Sequence, residues 1–375
     1  MTETFQCSEC QRSYPIDPTR WQCDCGSPLD LEFNPEFPTQ TILKRGPSLW
    51  RYREAIPIKK DRSIVSMGEG LTPLEEMEFS SHRVRVKIDY LFPTGSYKDR
   101  GAAVLISKAR EIGIQKVVED SSGNAGAAIA AYCSRAKIGC DIYVPQATSS
   151  GKLVQMQTYG ANLKKIEGSR EKTAQVTIEA AQKTYYASHC WNPFFLHGTK
   201  TFGFEIWEQM GWKPPDTLVL PIGHGTLLLG AYIGFRELRE AGRVKKIPRL
   251  VGIQSAVCAP LFNGFIKGLD EAQSINKGET LAEGIAIAEP VRGKQILRAI
   301  RETDGEILAV TEREIEAALK EMGKRGHFIE PTSAATIAGL KKYLKRKKKK
   351  EVIVSTLTGT GLKAIEKVGH LTGSL

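Results

Sequence analysis

The sequence has no apolar run near the roughly 18 residues a helix needs to cross a bilayer, which excludes a membrane-spanning reading. Its first ten residues are polar and offer no apolar core for a secretory leader, so a cytoplasmic protein is expected. Without a secretory context, the eight cysteines are not expected to pair as disulfides. Net positive charge is scarce outside one stretch. Lys341–Lys350 carries eight of the eleven net charges and no acid, leaving +3 over the other 365 residues. A nucleic-acid binder spreads its cations over a face and interleaves aromatics, whereas this run holds only Tyr343. A solvated helix end is the reading, with no nucleic-acid or membrane partner. Two nucleotide motifs are also missing. Gly223-x-Gly225 is followed by Gly230 rather than by a glycine three positions on, and no Gly-Lys-Ser/Thr follows a strand.

What remains is a chain of 375 residues, 41% hydrophobic and 25% charged, enough for two or three packed domains at about 150 residues each. From Arg83 onward strand and helix patterns alternate. Strands are expected at 84–88, 116–118, 140–144, 163–166, 217–222, 250–254, 307–310 and 351–356. Helices are expected at 98–112, 125–136, 152–159, 170–184 and 227–241, and from Glu312 and Ser333. This rhythm predicts an α/β protein with two open, mostly parallel twisted sheets and helices on both faces, preceded by a small Cys-bearing ribbon. The expected divisions are a ribbon at 1–34, a linker with part of the large domain at 35–84, a small domain at 85–195 and a large domain at 196–375.

Open α/β sheets bind ligands where strands run into Gly-rich turns. Ser121-Ser122-Gly123-Asn124, Gly223-His224-Gly225-Thr226 and Thr358-Gly359-Thr360-Gly361 each follow a strand pattern and expose backbone N–H groups suited to an anion. With the dinucleotide and Walker readings gone, a phosphate monoester is the ligand left for the middle turn. Lys98 falls at a helix start, where the dipole disfavours a cation; that suits either a lysine that acts neutral on a carbonyl or an exposed lysine pairing with Asp99. His189 and His197 read as packing residues, and Glu330-Pro331-Thr332-Ser333 as a helix start. Cys7, Cys10, Cys23 and Cys25 have the form C-x2-C-x12-C-x-C. Such paired thiols fit one tetrahedral zinc or iron ion, and equally a ribbon without metal.

Pro93-Thr94-Gly95-Ser96-Tyr97-Lys98-Asp99-Arg100-Gly101-Ala102 resembles the lysine segment of fold-type II pyridoxal-phosphate enzymes. SSGNAGAA, GHGTLLLGAYIGF and TLTGTGLK are similar to that group's substrate loop, phosphate loop and C-terminal turn. LWRYREAIP, SMGEGLTPL and the Cys-bearing N-terminus resemble the threonine synthase family. The resemblance implies that Lys98 holds pyridoxal 5'-phosphate and shuttles protons. It implies that Asn124 bonds the ring's phenolic oxygen, that Gly223, His224, Gly225, Thr226 and Leu227 hold the phosphate, and that Thr358 faces the ring nitrogen. Ser121, Ser122 and Gly123 would hold a substrate carboxylate, and Glu330 would lie near the cofactor.

The implied reaction converts O-phosphohomoserine and water to threonine and phosphate in a homodimer, with zinc as a second cofactor if the four thiols bind it. Lys152, Arg100 and Arg292 are candidates for the substrate phosphate. Ser122, Ala125-Gly126 and Thr360 depart from the family's more frequent residues, which keeps a threonine or serine dehydratase, or a cysteine-synthase-like β-replacement enzyme, as the alternative. From another class, a zinc-ribbon adaptor or nucleic-acid-binding protein with a silent α/β body, suggested by the four N-terminal Cys and the Lys run, is opposed by intact Lys98 and Asn124.

Overall fold

The computed structural model describes residues 3–79, 81–148, 150–168, 170–346 and 351–372. It divides into two units, Met1–Gly70 with Lys98–Thr201, and Leu71–Tyr97 with Phe202–Leu375. The expected ribbon at 1–34 falls inside the first unit, as do residues 35–70.

In the first unit, Thr4–Cys7 pairs antiparallel with Ser13–Pro15 on one side and Leu29–Glu32 on the other. This ribbon does not stand apart from the α/β body. Phe5, Cys7, Tyr14, Leu29 and Leu31 belong to the same buried cluster as Val104, Ile129, Ile142 and Phe195. Phe5 meets Phe194 edge-on at 5.9 Å, and Trp21 meets Trp191 at 5.0 Å. Lys108 reaches from the body to Glu3 at 3.0 Å and to Glu111 at 2.6 Å.

The body's sheet is parallel, in the order Asn162–Ile166, Gly139–Pro145, Lys116–Glu119 and Tyr185–Tyr186. The Ala-rich helix Asn124–Ala136 packs on it, and Lys137 ends that helix in a left-handed conformation. The helix Lys98–Glu111 is buried from Asp99 through Ala109. It lies so close to Pro193–Thr199 that a Cβ on Gly198 would sit 2.1 Å from the Arg100 carbonyl oxygen, and one on Gly101 within 2.4 Å of the Phe195 ring. Small residues at both crossings permit this approach, which holds the start of the lysine helix rigidly.

The second unit has a six-stranded sheet among the described residues. Its order is Glu306–Val310, Arg249–Ser255, Thr217–Pro221, Ile353–Thr356, His82–Lys87 and Leu74–Phe79. All pairs are parallel except the last. The edge strand Leu74–Phe79 has no counterpart in the sequence reading. Its three glutamates are poor strand formers, tolerated because all three are exposed at the sheet's edge. Pro193–Thr199, Thr201–Gln209, Pro260–Ile266 and Gly293–Glu302 are further helices not read from the sequence.

The helix Glu312–Lys324 begins with a capping box between Thr311 and Glu314. The helix Pro331–Leu344 begins with proline at its first turn. Of the basic run, Lys341 pairs with Glu321, Lys342 with Glu314 and Arg346 with Glu306, so its first half neutralises acids of neighbouring elements. Residues 347–350 lie outside the described residues. No helix among the described residues is long and apolar enough to cross a membrane.

Candidate functional site

Lys98 is the first residue of the buried helix Lys98–Glu111, as expected. It is half-buried, with Nζ 5.7 Å from the centroid of the Phe195 ring. In the same unit, the strand Lys116–Glu119 runs into Ser121–Gly123, and Asn124 opens the next helix. The helix starts after Gly123, which offers no side-chain cap. The turn is folded back on itself. The Gly123 N–H donates to Ser121 Oγ at 3.3 Å, and a Cβ on Gly126 would stand 2.0 Å from the Ser121 carbonyl oxygen. Gly126, one of the residues departing from the family's usual pattern, is therefore required by the loop's own backbone.

His189 Nδ1 lies 2.9 Å from buried Glu119, and His197 Nδ1 lies 2.8 Å from Lys200 Nζ. Both histidines are buried beside a charged partner.

In the second unit, the strand Thr217–Pro221 leads into Gly223–Gly225, and the helix Thr226–Glu240 follows. Gly225 precedes that helix at φ +71°, a conformation glycine adopts freely. A Cβ there would also fall 2.3 Å from Ile296 Cδ1, and one on Gly223 would fall 3.0 Å from the Ile285 backbone. No side chain caps this helix, whose N-terminus collects N–H dipoles. Thr226 Oγ1 is 3.0 Å from the Tyr97 hydroxyl. A bare, glycine-shaped helix start of this kind fits a phosphate group.

The turn after Ile353–Thr356 is braced by the segment that precedes Lys98. The Tyr97 N–H donates to the Thr358 carbonyl at 3.0 Å, and the Thr360 N–H to the Gly95 carbonyl at 3.0 Å. Ser96 is fully buried, and its hydroxyl has no hydrogen-bond partner among the described residues. Thr358 is 1% exposed; its hydroxyl contacts Ser333 Oγ at 3.1 Å and Glu330 Oε1 at 3.3 Å. Neither Ser333 nor Tyr97 stood out in the sequence. Ser333 sits in a helix-start pattern, and Tyr97 occupies a position where any aromatic continues the motif.

Arg100 is fully buried and donates to Thr201 at 3.2 Å, while Arg292 is 1% exposed and donates to Gln295 at 2.7 Å. The side chain of Lys152 lies outside the described residues.

The four N-terminal thiols come together, with all Sγ atoms within 4.8 Å of one another. Cys7–Cys25 and Cys10–Cys23 are each 3.5 Å apart. Four sulfurs at about 2.3 Å from a tetrahedral zinc stand about 3.8 Å apart, so the spacing suits the ion. The Glu9 and Cys10 N–H groups both point to Cys7 Sγ at 3.4 Å, and the Cys25 N–H to Cys23 Sγ at 3.5 Å. Such donors favour the thiolate form, but burial outweighs them at Cys7 and pushes its thiol up to about 12. Hydrogen bonds from the Ser27 side chain and backbone bring the Cys25 thiol down to about 6.

Residues 65–359 match the family described as pyridoxal-phosphate dependent enzyme. The chain is 35% identical to threonine synthase of Methanocaldococcus jannaschii, covering 96% of this chain and 92% of that protein. It is also 35% identical to threonine synthase of Synechocystis sp., over 88% and 90% of the two chains. Among solved structures, the processed form of threonine deaminase isoform 2 from Solanum lycopersicum superposes with a TM-score of 0.70 at 21% identity, over 91% of each chain. Serine racemase from Dictyostelium discoideum superposes at 0.65 and 26% identity, over 78% of this chain and 92% of that one. With the lysine at its helix start and a bare, glycine-shaped phosphate turn, the chain belongs to the pyridoxal-phosphate-dependent enzymes of fold type II, in the threonine synthase family.

Proposed function

We propose that this enzyme converts O-phosphohomoserine and water to threonine and phosphate. The observation that carries the reading is the 35% identity to a threonine synthase across 96% of the chain. Pyridoxal phosphate, when bound, supplies an electron sink that acidifies the α-proton of an attached amino acid. In this reading Lys98 would hold the cofactor through Nζ, and its freed amine would take protons from the α- and β-carbons and return them to the γ-carbon as phosphate leaves and to the α-carbon after water has supplied the β-hydroxyl. The Asn124 amide bonds the ring's phenolic oxygen. The N–H groups of Gly223, His224, Gly225 and Leu227, with Thr226, hold the cofactor phosphate, and Thr358 meets the ring nitrogen. Backbone N–H groups of Ser121, Ser122 and Gly123 orient the substrate carboxylate. Arg100 and Arg292 are both buried and hydrogen-bonded, so burial does not choose between them as the partner of the substrate phosphate. Homodimeric assembly and cytoplasmic residence belong to the same proposal.

Holoenzyme given O-phosphohomoserine should release phosphate and threonine in equal amounts, with little keto acid from threonine or serine. A dehydratase reading is favoured by the fold shared with the tomato threonine deaminase. Formation of 2-oxobutyrate from threonine, without phosphate release from O-phosphohomoserine, would decide for it. We further infer that Cys7, Cys10, Cys23 and Cys25 hold one structural zinc ion, on the strength of the sulfur spacing and the N–H donors to Cys7 and Cys23.

A further inference from the structure

We propose that Phe195 is a positioning residue that holds the Lys98 amine in place, and that Phe5 of the N-terminal ribbon holds Phe195 there through Phe194. The inference rests on the reading that Lys98 carries the cofactor. A lysine amine rides on a flexible four-carbon stem, so a buried helix fixes the backbone and not the amine. A reacting group has to stand within about 0.5 Å of its working place. In the first unit the Phe195 ring supplies a wall for that purpose, with its centroid 5.7 Å from Lys98 Nζ. The same ring lies against Gly101, three residues along the lysine helix, where an added Cβ would fall 2.3 Å from a ring carbon. Glycine at this position is what lets an aromatic ring come so near the backbone of that helix. The ring also meets the His189 imidazole edge-on at 6.0 Å, and that imidazole is tied to buried Glu119 at 2.9 Å.

Phe195 belongs to the helix Pro193–Thr199, whose seven residues are fewer than the roughly 12 an isolated helix needs to be even marginally stable. Its place is set by what packs on it. Gly198 rests on the Arg100 carbonyl of the lysine helix. The N-terminal segment supplies the other contacts. Phe5 meets Phe194 edge-on at 5.9 Å, Phe33 meets His197 edge-on at 6.0 Å, and Lys200 Nζ stands 4.9 Å from the centroid of the Phe33 ring. Glu3 holds Lys108 at 3.0 Å, and the Lys108 ammonium lies 5.0 Å from the centroid of the Phe194 ring.

Consecutive residues of a helix project about 100° apart, so Phe194 and Phe195 reach different neighbours from one backbone. Phe194 meets the ribbon, and Phe195 meets the lysine. Phe5, Phe194 and Phe195 are all buried. A close-packed interior has little slack. Shortening the side chain at position 5 leaves a gap into which Phe194 relaxes, and Phe195 moves with it. The ribbon thus has a task separate from any metal its thiols hold, which is to press a short helix onto the helix of the reacting lysine.

The test compares full-length apo chains for the rate at which they capture pyridoxal phosphate, and the loaded chains for the visible circular dichroism of the bound cofactor. Neither readout depends on which substrate is correct. Phe195→Leu should slow capture about 10-fold and change the dichroic band, because the amine loses its wall. Phe5→Leu should act in the same direction by about 3-fold. The double variant should be no slower than Phe195→Leu alone, since Phe5 acts only through that ring. Glu205→Gln, which weakens the second unit, should leave capture and band as in wild type, so that lost stability alone does not give the signature. Phe195→Met, closer in volume, takes the place of Phe195→Leu if the latter does not fold. Wild-type capture with an unchanged band in the Phe195 variant overturns the inference. Losses that multiply in the double variant overturn the route from Phe5 through Phe195. Borohydride reduction that fixes the cofactor on another lysine, or on none, overturns the cofactor reading and this inference with it; an adduct on Lys98 keeps that reading whatever the two phenylalanines do.

Discussion

A lysine in the first turn of a helix works against the dipole, and Lys98 adds little packing of its own. Its replacement should be tolerated by the fold and lethal to the chemistry. Borohydride reduction of the loaded protein should fix the cofactor on Lys98, as peptide mapping will show. Lys98→Ala should lose turnover while its Tm stays within a few degrees of wild type. An adduct on another lysine would overturn the assignment. Gly225 behaves differently. Its positive φ and its contact with Ile296 mean that Gly225→Ala strains the backbone and displaces a core side chain together. The expected cost is about 1–3 kcal/mol of stability, with weakened cofactor retention, measurable by denaturant melts of apo and loaded protein. Loss of cofactor with unchanged apo stability would show that Ile296 moves aside.

The ribbon shares its core with the rest of the first unit, so a metal held by its four thiols would matter beyond residues 1–34. Metal analysis should find one zinc per chain. Cys10→Ser should release it and lower the melting temperature of the whole first unit, because Phe5, Trp21 and Lys108 couple the two parts. A metal-free protein of unchanged stability would reject the site. In the second unit, the Lys87–Glu205 pair at 2.8 Å is fully buried, and Lys87 also donates to the Thr72 carbonyl and to Gln209. Burying one charge alone is far costlier than burying the pair. Glu205→Ala should therefore destabilise the protein by about 3–5 kcal/mol, readable by chemical denaturation. Glu205→Gln, which keeps an acceptor, should cost less.

The chain enters each unit twice, and the second unit's sheet is completed by Leu71–Tyr97. His82–Lys87 lies beside Ile353–Thr356, the strand that leads into Thr358. A fragment of residues 202–375 alone would expose that strand's edge and its apolar face. It should be insoluble or lack cooperative melting, whereas a version fused to residues 71–97 through a flexible linker should melt cooperatively. Equal behaviour of the two would show that the first hairpin is dispensable. The expected substrate balance, one phosphate per threonine, belongs to this level too, because every residue assigned to the cofactor is compatible with dehydration as well.

Local pattern alone disclosed the parallel strands and the helices that follow them, since period and Gly-rich turns are properties of short segments. Lys98 and the three turns were legible for that reason, and the helix start at Lys98 came out where the Pro93–Gly95 turn placed it. The glutamate-rich edge strand was not legible, because its strand character depends on the neighbour it pairs with. The convergence of four sulfurs depended on how Ser13–Pro15 and Leu29–Glu32 flank Thr4–Cys7. The pairing of the Ser333 hydroxyl with the Thr358 and Gly359 N–H groups depended on segments about 25 residues apart in the chain coming together. The sequence by itself determined which residues are candidates for chemistry and the strand–helix alternation that brings the Gly-rich turns to strand ends. Only tertiary structure decided which donor meets which acceptor, because a hydroxyl's role depends on every partner around it rather than on its place in the chain.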